Sequence, residues 1–241
     1  MSSNTKCMPQ KNQKRLLRDV VRIIKSPLTS NGIYYSHDDE NMLKGYAVIF
    51  GPDDSIYRYG AYMFEFNYPI EYPFVPPKLT YLTNNGKTRF NPNLYRNGKV
   101  CISLLNTWKG EQWTSCQTIE SILLSLVALL HNKPLLNEPG ISQTHRDFKS
   151  YNSIIQYQNY ETAILGVLTQ NILPPAFMGF FSIIKNRFKS HKETIIAELE
   201  QLAKSKKNKK EFKTSLYSMN VLTDYTDLLE RTKLAFEKIL N

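Results

Sequence analysis

Cysteine is scarce in this 241-residue sequence, which holds only Cys7, Cys101 and Cys116. A sparse, odd and unpatterned set excludes a disulfide framework and points to a reducing compartment. No Cys-x-x-Cys occurs, and His37, His131, His145 and His191 fall at no metal-ligand spacing, so no metal site is expected. Also missing is any run of eighteen apolar residues, and the opening MSSNTKCMPQ lacks the apolar stretch of a signal peptide. A cytoplasmic or nuclear protein is expected, with a flexible N-terminus over residues 1–10. Acidic residues are outnumbered, 21 against 31 Lys and Arg, for a net charge of +10. Residues 11–25 hold six basic side chains against one acid, so much of the excess sits on one short segment. A nucleic-acid footprint would stripe several elements instead, which makes nucleic acid an unfavoured partner.

What is present reads as an α+β chain. Residues 11–25 space Leu16, Leu17, Val20, Val21, Ile23 and Ile24 as one helical face, with Lys14, Arg18, Arg22 and Lys25 on the other. Strands are predicted at residues 44–50, 59–68 and around Leu79 and Tyr81; Tyr62, Phe64 and Phe66 alternate with Met63 and Glu65 as a half-buried antiparallel strand would. Together they form a meander. Pro69, Pro73, Pro76 and Pro77 keep the last connection extended. Residues 117–130 are apolar nearly all round and predict the core helix, after which Ser142 can cap the next one. From residue 176 a new helical stripe starts at Phe177, breaks at KSKKNKK and is followed by a last helix. That lysine run reads as a solvated loop, or less simply as a nuclear signal or a site for an acidic partner.

One stretch carries chemistry: RFNPNLYRNGKVCISLLNTWKGEQW, residues 89–113. Asn91-Pro92 initiates a turn, Asn97-Gly98 is a type I′ turn signal, and a single cysteine, Cys101, follows, held at a surface. Taken alone, Cys101 reads either as an inert buried residue or as a nucleophile. Asn-Pro-Asn, eight residues later a cysteine, Trp113 beyond it and EYPFVPPK before it resemble the ubiquitin-conjugating enzymes. GPDDSIY, YGAYMFEF and Asn137-Glu138-Pro139 extend the likeness in the same order. Asn91 stands where the usual motif has histidine, and the longer stretch from Trp108 to Trp113 and the NEPG run are most like the Z-type branch, which has a C-terminal extension.

The resemblance implies a catalytic core over residues 11–175, with an N-terminal helix, about four antiparallel strands, a core helix and C-terminal helices, and a helical extension over 176–241. It implies that Cys101 accepts ubiquitin or a ubiquitin-like modifier as a thioester and passes it to lysine. Asn93 corresponds to the family's oxyanion donor or serves only to fix the loop. Glu138 corresponds to an acidic residue that receives the incoming lysine, while Asn91 and Pro92 shape the turn. Lys14, Arg18, Arg22 and Lys25 would dock the activating enzyme, unless they are a solvated face. Phe74 either meets a ligase or anchors its proline-rich loop from below. Thr114, Ser115 and Cys116 replace the usual Ser-Pro-Ala of the ligase contact. The implied partners are modifier, activating enzyme, ligase and protein substrates; no cofactor is implied, ATP being consumed by the activating enzyme. A non-catalytic binding relative is the alternative. A cysteine hydrolase would need a histidine beside its thiol, and none lies in the motif.

Overall fold

In a computed structural model, residues 7–240 are described. Helix α1 (Gln10–Lys25) leads to strands β1 (Ile33–His37), β2 (Lys44–Phe50), β3 (Ala61–Asn67) and β4 (Lys78–Tyr81), paired in chain order as an antiparallel meander. Beyond the three strands expected from the sequence, β1 pairs Tyr35 with Ala47 of β2. Of the N-terminal segment 1–10, residues 1–6 lie outside the described residues. From Met8 onward the chain is tied down: Met8 is buried and its carbonyl accepts from Gln13 Nε2 at 2.7 Å.

Helix α2 (Ile119–Leu129) starts where Thr118 and Ser121 form a reciprocal capping box, and its Ile119, Ile122, Leu123 and Leu126 are buried. These side chains meet one face of the sheet, including Ala47, Ile49, Tyr62, Phe64 and Phe66, in the main core. Beyond it, α3 (Phe148–Gln158) runs into a π-helical stretch, Asn159–Gly166. Ser142 caps neither; α3 begins at Phe148, with Asp147 at the cap position, because the preceding residues form turns of their own. Asn159 bonds sideways to the sheet, accepting from Tyr62 Oη at 2.5 Å and donating to Arg58 O at 2.9 Å. Gly60 is needed there, since a Cβ would lie 2.2 Å from Asn159 Oδ1.

The extension differs from two long helices. After the 3₁₀ turn Pro175–Phe180 come α4 (Phe181–Ser190), α5 (Lys192–Ala203), a hairpin of β5 (Glu211–Thr214) and β6 (Met219–Leu222), and α6 (Tyr225–Leu240). The helices cover the sheet's second face. Val48, Phe50, Ala61 and Met63 alternate with the main-core residues and pack in a second cluster with Phe177, Ile184, Phe188, Leu199, Leu228 and Phe236. Strands with both faces buried read as almost continuous apolar runs, which is what β2 and β3 show. Polar ties reinforce the contact: Glu198 of α5 accepts from Arg58 and Tyr160, and Arg231 of α6 forks onto Glu161 at 2.9 and 2.6 Å.

A measurable consequence concerns that second cluster. Phe188→Ala is expected to destabilise the protein by about 3–5 kcal/mol, the cost of deleting a fully buried ring. Deleting residues 176–241 is expected to yield an aggregating chain, because the part of the second sheet face and of its core that the extension covers becomes solvent-exposed. Urea melts and solubility check both; a monomeric deletion fragment with the parent's midpoint would show that the sheet does not need this cover.

Candidate active site

Residues 91–101 are shaped by backbone bonds that return on themselves. Leu94 pairs with Val100, Gly98 N–H donates to Tyr95 O at 3.0 Å, and Tyr95 N–H donates to Lys99 O at 2.9 Å. Of Asn97 and Gly98 only Gly98 has a positive φ, +85°, so the turn is not the expected type I′. A left-handed glycine closing a longer turn is the bulged hairpin geometry. A side chain at position 98 would also crowd Thr80 Cγ2 and Tyr81 O at 3.0 and 3.1 Å.

This hairpin delivers Cys101, with both its backbone groups held by Asn93. Cys101 N–H donates to Asn93 O at 2.9 Å, and Asn93 Nδ2 donates to Cys101 O at 2.6 Å. The carbonyl acceptor fixes the amide orientation, and Asn93 Oδ1 is left buried without a hydrogen-bond partner. Cys101 is 2% exposed, which corrects the expectation of a thiol at the surface. The two-way bond to Asn93 draws the residue into the loop instead of presenting it. Cys7 and Cys116 are the exposed cysteines. Among the described residues no histidine bonds to the Cys101 sulfur, and no group of three or more His, Cys, Asp and Glu could hold a metal ion.

Asn91 is fully buried and its side-chain amide uses every polar valence. Its Oδ1 accepts from Asn93 N–H (3.0 Å) and Asn137 Nδ2 (3.2 Å), and its Nδ2 donates to Leu129 O (2.9 Å) and Tyr57 Oη (3.3 Å). Burial holds the Tyr57 hydroxyl well above its ordinary pKa, so it stays a proton carrier, and it donates to Phe90 O at 2.6 Å. His131 Nε2 lies 3.0 Å from Asn137 Oδ1, so a histidine supports the turn through Asn137 and Asn91 without touching the thiol. Pro92 is buried beside Asn91, and its carbonyl accepts from Arg89 at 2.6 Å.

Two residues escaped the sequence reading. Arg89 donates to Asn91 O at 3.2 Å as well as to Pro92 O, and its guanidinium lies 3.2 Å from the centre of the Tyr95 ring. An arginine two residues before Asn91-Pro92 was the available signal. Tyr217, in the turn of the extension's hairpin, donates to Glu138 Oε2, and no local pattern announces that contact. Glu138 itself follows the 3₁₀ turn Pro134–Asn137, so it shares a segment with the Asn137 that supports Asn91.

The binding candidates sit apart from this cluster. Lys14, Arg18, Arg22 and Lys25 are exposed on α1, Arg22 lying 3.3 Å from Glu120. The apolar face of α1 divides: Leu16, Val20 and Ile23 are buried, whereas Leu17, Val21 and Ile24 are exposed next to the basic stripe. One helix packed on one side can bury only part of so wide a face. Arg15, on the inner side, forks onto Asp19 and donates to Ser115 O and Gln117 O, clamping α1 to the segment after Trp113. Phe74 is 63% exposed, which overturns its reading as an anchor beneath the loop. Trp113 holds that loop instead, donating from Nε1 to Pro73 O at 2.7 Å. Between the loop and the cysteine hairpin lies a cleft of about 570 Å³ lined by Pro76, Leu79, Gly98, Val100 and Leu105 among others.

Residues 15–159 match the family described as ubiquitin-conjugating enzyme. The chain is 35% identical to ubiquitin-conjugating enzyme E2 Z of Xenopus tropicalis over 190 residues, 72% of this chain and 60% of the relative. To the Homo sapiens protein of the same name it is 40% identical over 157 residues, 64% of this chain and 44% of the relative. The chain thus spans about half the length of the curated relatives it matches. Human ubiquitin-conjugating enzyme E2 G1 is a solved structure with a TM-score of 0.44 at 30% identity, covering 49% of this chain and 93% of its own. With a family match across more than half its length, and relatives of the Z type among the proteins it is similar to, the chain belongs to the ubiquitin-conjugating enzyme family.

Proposed function

We propose that the protein carries ubiquitin or a ubiquitin-like modifier as a thioester on Cys101 and transfers it to lysine on protein substrates. In loading, the Cys101 thiolate attacks the carbonyl carbon of the activating enzyme's thioester; a new S–C bond forms and the donor thiolate leaves. In transfer, a lysine amine attacks the same carbon, the C–N bond forms, the C–S bond breaks, and the amine's proton departs. The observation that carries this reading is the reciprocal link between Cys101 and Asn93 inside an Asn-Pro-Asn turn where, among the described residues, no histidine bonds to the sulfur. A thioester is protected where no base activates water, and an amide can donate to the transfer oxyanion without acting as a base. Cys101 is 2% exposed.

That burial is also what favours a second reading, a non-catalytic relative that only binds partners. One experiment separates them: incubation with activating enzyme, ATP and ubiquitin, then a non-reducing gel. A single adduct that reducing agent removes supports the enzyme, and its absence across the known modifiers supports the binder. ATP serves the activating enzyme, and the chain needs no cofactor of its own in this scheme. Its site of action is cytoplasmic or nuclear.

For the partners, α1 offers the activating enzyme an exposed basic stripe flanked by Leu17, Val21 and Ile24, and Phe74 with Val75 offers a ligase an apolar patch. Arg18→Glu combined with Arg22→Glu is expected to slow loading about tenfold or more at low salt while leaving the melt unchanged, because exposed interface charge acts mainly on encounter. Raising the salt should slow the parent toward the variant. Equal loading rates at low salt would leave the stripe as a solvated face.

A further inference from the structure

The turn between β5 and β6 is held unusually firmly for an exposed hairpin tip. Two non-glycine residues there, Tyr217 and Ser218, take left-handed backbone angles with φ of +61° and +46°. Such angles are costly and persist only where the surroundings enforce them. Here the core does. Buried Asp147 accepts at Oδ2 from the backbone N–H groups of Ser215 (3.0 Å) and Leu216 (2.8 Å), and Arg96 donates to the carbonyl of Tyr217. The Tyr217 ring lies against Arg89, whose guanidinium is 4.9 Å from its centre, and against Tyr151, 6.0 Å away between ring centres. Arg89 is the side chain that also grips Asn91 O and Pro92 O.

Beside this anchoring, the turn directs a polar atom at Glu138: the Tyr217 hydroxyl donates to Glu138 Oε2. Burial first and donation to Glu138 second hold that hydroxyl far above its ordinary pKa, so it remains a donor at any physiological pH. Among the described residues, Glu138 Oε1 has no hydrogen-bond or ion-pair partner. Within the proposed transfer to lysine, on which the argument rests, we propose that Tyr217 is a positioning residue for the acceptor. It fixes the Glu138 carboxylate by one oxygen and leaves the other to receive the ammonium group of the incoming lysine. The extension is therefore part of the acceptor site as well as a cover for the sheet.

The test is a single-turnover chase of preformed ubiquitin thioester into free lysine over a range of lysine concentrations. Tyr217→Phe keeps the ring on Arg89 and removes only the donor. Its half-saturating lysine concentration is expected to rise about tenfold, the scale of one hydrogen bond to a charged group, with a much smaller change in the maximal rate. Glu138→Gln should raise the same quantity by a similar factor, and Tyr217→Phe should add less than twofold on that background, because the hydroxyl acts through the carboxylate. Effects that multiply, an unchanged half-saturating concentration in either single variant, or a loss confined to the maximal rate would each overturn the assignment. A parent chain that forms no thioester overturns the proposed function and this inference together. A parent that charges, beside a Tyr217→Phe thioester that discharges like it, overturns this inference alone.

Discussion

Cys101→Ala is expected to abolish the reducible modifier adduct, and Cys101→Ser to leave at most an adduct that resists thiols. Accessibility alone would choose otherwise, since Cys7 and Cys116 are exposed and Cys101 is not. Context decides the expectation: only Cys101 follows the Asn-Pro-Asn turn, with its backbone held at both polar groups. An acyl carbon must meet a thiolate at defined geometry, and a preorganised loop supplies that geometry where a free surface thiol does not. The combined Cys7→Ala and Cys116→Ala variant should charge like the parent. An adduct that survives Cys101→Ala, or that disappears with the exposed pair, would refute the mechanism. Gels with and without reducing agent give the answer directly.

Asn93→Ala is expected to slow discharge of the thioester to lysine by roughly a hundred- to a thousand-fold, the scale of removing one preorganised oxyanion donor. The structure adds a second cost. Asn93 Nδ2 is the partner of the buried Cys101 carbonyl, and stranding that carbonyl should lower stability by about 1–3 kcal/mol. Both roles are open to the same nitrogen, which carries two hydrogens and spends one on Cys101 O. Loading and discharge separate them. Loading is exchange at a carbonyl that the activating enzyme already handles, so a donor lost from this chain should weigh mostly on discharge. If both steps fall by the same factor and follow the drop in melting temperature, Asn93 is a structural residue of the loop and the oxyanion has another donor.

Local pattern reached a good deal of this protein. Unlike the half-burial expected of β3, whose second face is also covered, the period of 3.6 in residues 11–25 and the all-round apolar stretch of α2 are properties of neighbouring residues. They persist because the tertiary contacts reinforce them. The order of Asn-Pro-Asn, Cys101 and Trp113 is likewise written in the chain, and so are the identities of Asn91, Asn93 and Glu138 as the side chains of interest. What packing decided lies at long range. The exposure of Leu17, Val21 and Ile24 depends on how much of α1 its neighbours can cover, and the burial of Cys101 on two bonds to a residue eight positions away. β5 and β6 are four residues each, β5 following a lysine run and carrying two charges, and both are too short to register as strands without each other. Tyr217 meets Glu138 across 79 residues of sequence. No spacing rule reaches that far, because only the docking of the extension on α3 and on the segment before Asn91 brings the two side chains together.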